Sequence, residues 1–179
     1  MNATFRNLSV VAALLAMIGL PQLAVAQNPF RTAGEKISGE AYWPGRATGQ
    51  YIQSAQSYAQ EYQAYLARTP RPEPAVVQEV SKTLSGYLDE AHKHLVAMKK
   101  DFAGDKETVA AIESIEKDLA KAVDHNKEMV KCCENEKFDK AMAMTCCTDL
   151  SKALGKIHAD HVALMKKLAQ KHGAAGAVK

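Results

Sequence analysis

The chain has 179 residues, with 23 Lys and Arg against 20 Asp and Glu, a formal net charge of +3 and 47% hydrophobic residues. The small charge is spread as interleaved lysines and acids, with no basic stripe carrying stacking aromatics, which excludes a phosphate-tracking nucleic-acid binder. The length admits one domain with its own core and is short for two.

Residues 1–26 carry Arg6, an apolar run from Leu8 to Leu20, a breaker at Pro21 and the pattern Ala24-Val25-Ala26 before Gln27. Short basic region, apolar core and small-residue cleavage site together predict a cleaved signal peptide. The apolar run is short for a membrane span, and no later stretch reaches the ~18–20 uncharged apolar residues a span needs. Gln27 is not a cysteine, which argues against a lipoprotein anchor at this cleavage site. The expectation is an exported chain, periplasmic or secreted, with no transmembrane span after signal removal.

Residues 27–46 hold Pro29, Gly34, Gly39, Pro44 and Gly45 with little periodicity, and are predicted as an irregular, extended N-terminal arm that Tyr42-Trp43-Pro44 docks on the body. Residues 47–172 carry apolar positions at three- and four-residue spacing, as amphipathic helices require. The first predicted helix, 47–67, presents Tyr51, Ala55, Tyr58, Tyr62 and Tyr65 with Ile52, Ala59 and Leu66 beside them. Thr69-Pro70-Arg71-Pro72-Glu73-Pro74 forces a turn. The second helix, 74–102, presents Val77, Val80, Leu84, Tyr87, Ala91, His94 and Met98, and Gly104-Asp105 supplies a C-terminal glycine and an N-capping aspartate.

The third helix, 106–133, presents Ile112, Ile115, Leu119, Ala122, Asn126, Met129 and Cys133. After the polar stretch Glu134–Lys137 the fourth helix, 138–171, presents Cys147, Leu150, Leu154, Ile157, His161, Leu164 and Leu168. Short connections make successive helices antiparallel neighbours, so the predicted fold is all-α, an up-down-up-down antiparallel four-helix bundle. Residues 173–179 are predicted as a flexible tail.

All four cysteines fall within sixteen residues as two vicinal pairs, Cys132-Cys133 and Cys146-Cys147. Export into an oxidising compartment favours disulfides. The nearby His125, Met129, Met142 and Met144 instead favour a soft metal, with copper as Cu(I) first and zinc second. Consecutive helical residues point about 100° apart, so each pair offers one sulfur inward and one to the flank. With the turn centred near residue 136, regular helices leave Cys132 or Cys133 roughly 5 Å from each side short of Cys146 or Cys147 along the axis. A staple therefore requires the third helix to unwind near Lys131. Disulfide staple and metal site stay open as alternatives, with thiol exchange a third that lacks the C-x-x-C spacing.

His94 and His161 occupy core-stripe positions on helices expected to be diagonal partners, where they would clamp an ion, or else hydrogen-bond to a serine or glutamine. A di-iron carboxylate site lacks its Glu-x-x-His motifs, and covalent haem lacks C-x-x-C-H. No nucleotide-binding glycine pattern or enzyme signature occurs, so nothing supports catalysis. The plan is similar to periplasmic copper-handling bundles in architecture only. Copper-storage bundles line their interior with many cysteines, and four at one end imply no high-capacity store. The expected partner is a metal ion, with a periplasmic protein or a second copy as candidates for the tyrosine-rich first helix.

Overall fold

The computed structural model describes residues 39–134 and 138–175, with side chains over 42–134 and 138–171. The predicted signal peptide, the arm before Gly39, the turn residues 135–137 and the end of the tail lie outside the described residues. All-α architecture is what the periodicity predicts, and four helices form with no strand among the described residues: α1 Gly39–Arg68, α2 Pro74–Asp101, α3 Lys106–Glu134 and α4 Lys140–Ala175. Each helix packs against two others in a closed ring, α1 on α2, α2 on α3, α3 on α4 and α4 on α1.

Helix boundaries follow local chemistry. Pro70 and Pro72 lie between α1 and α2, and Pro74 opens α2 at a position where its missing N–H is no loss. Asp105 caps α3: its Oδ1 accepts from the Thr108 backbone N–H at 3.3 Å and its Oδ2 from Thr108 Oγ1 at 2.8 Å. Asp139 does the same for α4, accepting from Met142 N at 3.1 Å. Lys140 reaches back to the end of α1, donating to the Ala67 and Thr69 carbonyls at 2.9 and 3.1 Å, groups that a helix end leaves without intrahelical partners.

Two boundaries differ from the sequence expectation by more than two residues. Helix α1 starts at Gly39, so residues 39–46 of the predicted extended arm are helical. Pro44 removes one backbone hydrogen bond from this stretch, and burial offsets that loss: Tyr42, Gly45 and Thr48 all face the core. At Gly45 a Cβ would stand 2.5 Å from Met165 Cε and 2.6 Å from Met165 Sδ, so a larger residue requires the end of the Met165 side chain to shift. The small residue lets α1 and α4 approach closely. Helix α4 also continues through Gly173 to Ala175, into the predicted flexible tail.

The core stripes of α3 and α4 follow the predicted spacing, with Ile112, Ile115, Leu119, Ala122, Asn126, Met129 and Cys133 buried on one and Cys147, Leu150, Leu154, Ile157, His161, Leu164 and Leu168 on the other. On α2 the stripe shifts. Leu88 and Leu95 take the positions expected of Tyr87 and His94, which are half-buried. Spacings of three and four residues are both compatible with a helical face, and the more apolar leucine wins. On α1 the stripe is Ile52, Ala55, Ala59, Tyr62 and Leu66, while Tyr51, Tyr58 and Tyr65 flank it. Tyr51 and Tyr58 meet Tyr87 of α2 at ring-centroid distances of 6.5 and 6.3 Å.

Contacts between helices fix axial heights. Residue numbers fall on one helix as they rise on its neighbour, in Asp105 with Lys171, Asp118 with Lys156 and Cys132 with Cys146 across α3 and α4. Gln63 with Thr148 and Lys140 with Ala67 do so across α1 and α4. The only polar residue on the α3 stripe between Thr108 and Cys133 is Asn126, whose Nδ2 donates to the Ser81 carbonyl and to Ser85 Oγ, both at 3.0 Å. A directional pair of this kind pins α3 against α2 in one register.

Candidate metal centre

The four cysteines sit together at the α3–α4 end nearest the connection. Cys133 and Cys147, predicted inward, are buried in the core, while Cys132 and Cys146 are half-buried beside it. All four are thiols, and Cys132 Sγ lies 3.5 Å from Cys146 Sγ, a hydrogen-bonding contact in which either sulfur can donate and no covalent bond is formed. Cys133 Sγ accepts a hydrogen bond from Tyr62 Oη at 3.4 Å.

The unwinding that a staple was expected to require near Lys131 does not occur, since α3 stays helical to Glu134. Two effects close the axial gap instead. The Asp118–Lys156 contact puts residues whose numbers sum to 274 at one height, two more than a centre at 136 implies, which reduces the stagger of Cys132 and Cys146 to about four residues, or about 6 Å. Helical side chains also tilt toward the N-terminus of their helix, each covering a spot about one residue back. That tilt carries the Cys132 sulfur away from the turn and the Cys146 sulfur toward it, removing about 1.5 Å from each side.

Burial favours the protonated form of Cys133, Cys146 and Cys147. Desolvation first, then the hydrogen bond to Cys132, push the Cys146 thiol up to about 12, with Glu128 and Asp149 adding like-charge repulsion. Cys147 is likewise pushed up to about 12 by burial and then by the neighbouring Cys133, Cys146 and Cys132. Cys133 is raised by burial against the opposing effect of Tyr62, and the Tyr62 hydroxyl is itself raised far above its ordinary range by burial and the two inner thiols. In the absence of a cation these are neutral thiols. A cation reverses the balance, because it compensates thiolate charge and releases the protons.

The other predicted ligands are placed less uniformly. Met129 is fully buried on the α3 stripe, Met144 is half-buried, and Met142 is 58% exposed. His125 is half-buried with Nδ1 3.8 Å from Glu128 Oε2. His94 stacks on Tyr51 at a centroid distance of 5.7 Å, on the α1–α2 seam. His161 is fully buried; burial first and then His158 lower its pKa to about 4, with a Gly45 backbone group acting in the opposite sense. Among the described residues no three or more His, Cys, Asp or Glu side chains converge as a metal-holding group, which applies to the histidine layer as well as to the cysteines.

Sequence reasoning assigned Tyr62 to the core stripe and missed its hydroxyl as a partner for Cys133. The signal was its height: Tyr62 lies two turns from the end of α1, beside the start of α4, as the neighbouring Gln63 Nε2 to Thr148 Oγ1 bond at 2.7 Å records. Compared with protein-family models, with curated proteins and with solved structures, the chain matches none. The chemistry of the cluster is therefore read from its own residues.

Proposed function

We propose that this chain is an exported, periplasmic copper-binding protein, a four-helix bundle of up-down-up-down topology that holds Cu(I) between sulfurs of α3 and α4. The observation that carries the reading is the convergence of Cys132 and Cys146 at 3.5 Å with Cys133 and Cys147 behind them. Cu(I) accepts two or three soft ligands, which paired thiols from two helices supply. Zinc, the second choice, demands four ligands in a tetrahedron, a larger convergence than the described side chains make. Met144 and Met129 are the thioethers nearest in sequence, Met142 lies at the surface, and His125 stands one turn further along α3. No helix among the described residues is long and apolar enough to cross a membrane, which agrees with a chain that works after signal removal.

The test is anaerobic Cu(I) titration of the reduced mature chain against a competing chelator. The expected result is tight binding that weakens by at least tenfold in the Cys132→Ser/Cys146→Ser variant. Equal stoichiometry and affinity in variant and parent would overturn the copper reading. The same sulfur contact fits one of the two disulfides of a second reading, a disulfide-stapled bundle that serves as a non-catalytic interaction or envelope-stress module. Its signature is a native protein with no free thiol.

A further inference from the structure

We propose that Cys132 and Cys146 form a dithiol–disulfide switch on the α3–α4 seam, one that oxidises independently of Cys133 and Cys147 and so sets how many sulfurs the cluster offers to a metal. The pairing stands on geometry alone, while its consequence for metal load rests on the copper reading above.

Four features single out this pair. Its sulfurs are 3.5 Å apart, and a disulfide at about 2.05 Å requires a closure of only about 1.5 Å, within reach of small side-chain rotations. Both residues are half-buried at the edge of the core, whereas Cys133 and Cys147 are enclosed, so a small oxidant reaches the outer pair first. The Cys133 sulfur is also engaged by Tyr62 Oη at 3.4 Å. Vicinal partners within one helix point about 100° apart around its axis, which leaves bonding across the seam as the route open without breaking α3 or α4.

The co-reactant is a low-molecular-weight disulfide. The Cys132 sulfur, losing its proton, attacks one sulfur of that disulfide; a mixed disulfide forms and one small thiolate leaves. The Cys146 sulfur then attacks Cys132 Sγ, forming the Cys132–Cys146 bond and expelling the second small thiolate. Two electrons pass to the small disulfide, and the two cysteine protons end on the two released thiols. The chain loses two hydrogens, and a pool of reduced small thiol reverses the sequence.

Oxidised glutathione is the probe, applied to the reduced mature chain, with remaining thiols counted by alkylation and intact mass. Tryptic cleavage leaves each vicinal pair on one peptide, between Lys131 and Lys137 and between Lys140 and Lys152, so pairing is assigned with variants. The expected result is loss of two of four thiols in the parent and of both thiols in Cys133→Ser/Cys147→Ser. In Cys132→Ser/Cys146→Ser both thiols should survive, and Cys146→Ser alone should stop at one glutathione adduct. No loss in the parent, loss of all four, or a crosslink that survives only in the Cys132→Ser/Cys146→Ser variant overturns the proposal. Helical circular dichroism on every variant keeps a folding failure from passing as a negative. In parallel, oxidised parent should fall to the Cu(I) capacity of reduced Cys132→Ser/Cys146→Ser. Thiol loss as expected with no Cu(I) bound by reduced parent would sink the copper reading and leave the pairing standing. Copper binding with no thiol loss would do the reverse.

Discussion

His161 makes the bundle acid-sensitive in a way that can be isolated. Its imidazole is fully enclosed, 0% exposed, and its pKa is lowered from 6.5 to about 4, with burial the largest cause and the charge of His158 second. In the unfolded chain the same ring takes a proton near its ordinary value. Above pH 6.5 the ring is neutral in both states and the site is indifferent to pH. As pH falls below 6.5 the unfolded chain binds a proton that the folded chain refuses, so stability is lost at about 1.4 kcal/mol per pH unit until the folded ring titrates near pH 4. The full span is worth about 3 kcal/mol, a large fraction of the stability of a small domain. Urea unfolding of the chain and of His161→Leu at pH 7, 6, 5 and 4 measures this directly. Carboxylates common to both proteins contribute equally, so the difference between the two curves reports His161. The parent should lose about 3 kcal/mol more than the variant over that range. Parallel curves would refute the enclosed-imidazole account, and a parent that gained stability on acidification would reverse its sign.

Gly86 lies within α2 with nothing within 4 Å of where a Cβ would stand, so Gly86→Ala should raise stability by about 0.5–1 kcal/mol through helix propensity alone, read as a higher urea midpoint at unchanged slope. A lower midpoint would mean that α2 is not held as a regular helix there. Asn126→Ala removes two hydrogen bonds to α2 and leaves a small buried gap, and should cost about 2 kcal/mol. A cost below about 0.5 kcal/mol would show that the buried amide is no anchor between α2 and α3.

Periodicity made the helices legible because apolar residues recur at a spacing that only a helix satisfies. It also identified the stripes of α3 and α4, where the alternation is unbroken. It misread α2 at Tyr87 and His94 because residues three and four apart are both neighbours on a helix face. Hydropathy rather than spacing decides between them, and Leu88 and Leu95 are the better hydrophobes. The start of α1 was lost to local punctuation: Pro44 and Gly45 are turn residues by composition. In the folded chain both are helical, and the side of Gly45 where a Cβ would stand faces Met165 and Met98, residues distant in sequence. A tertiary contact of this kind leaves no trace in a local window.

The cysteines divide along the same line. Angular position around a helix follows from sequence at 100° per residue, and it assigned Cys133 and Cys147 inward and Cys132 and Cys146 to the flank, as found. Axial position depends on where the connection is centred. A one-residue error in that centre changes the stagger across a pair of helices by about 3 Å, twice the displacement that separates the present sulfur contact from a bond. Sequence therefore identified which sulfurs share a face but not which could touch. Placing Cys132 against Cys146, and Cys133 against Tyr62, required the helices to be seen packed, and that pairing turns two vicinal cysteine motifs into one inner and one outer pair with different chemistry.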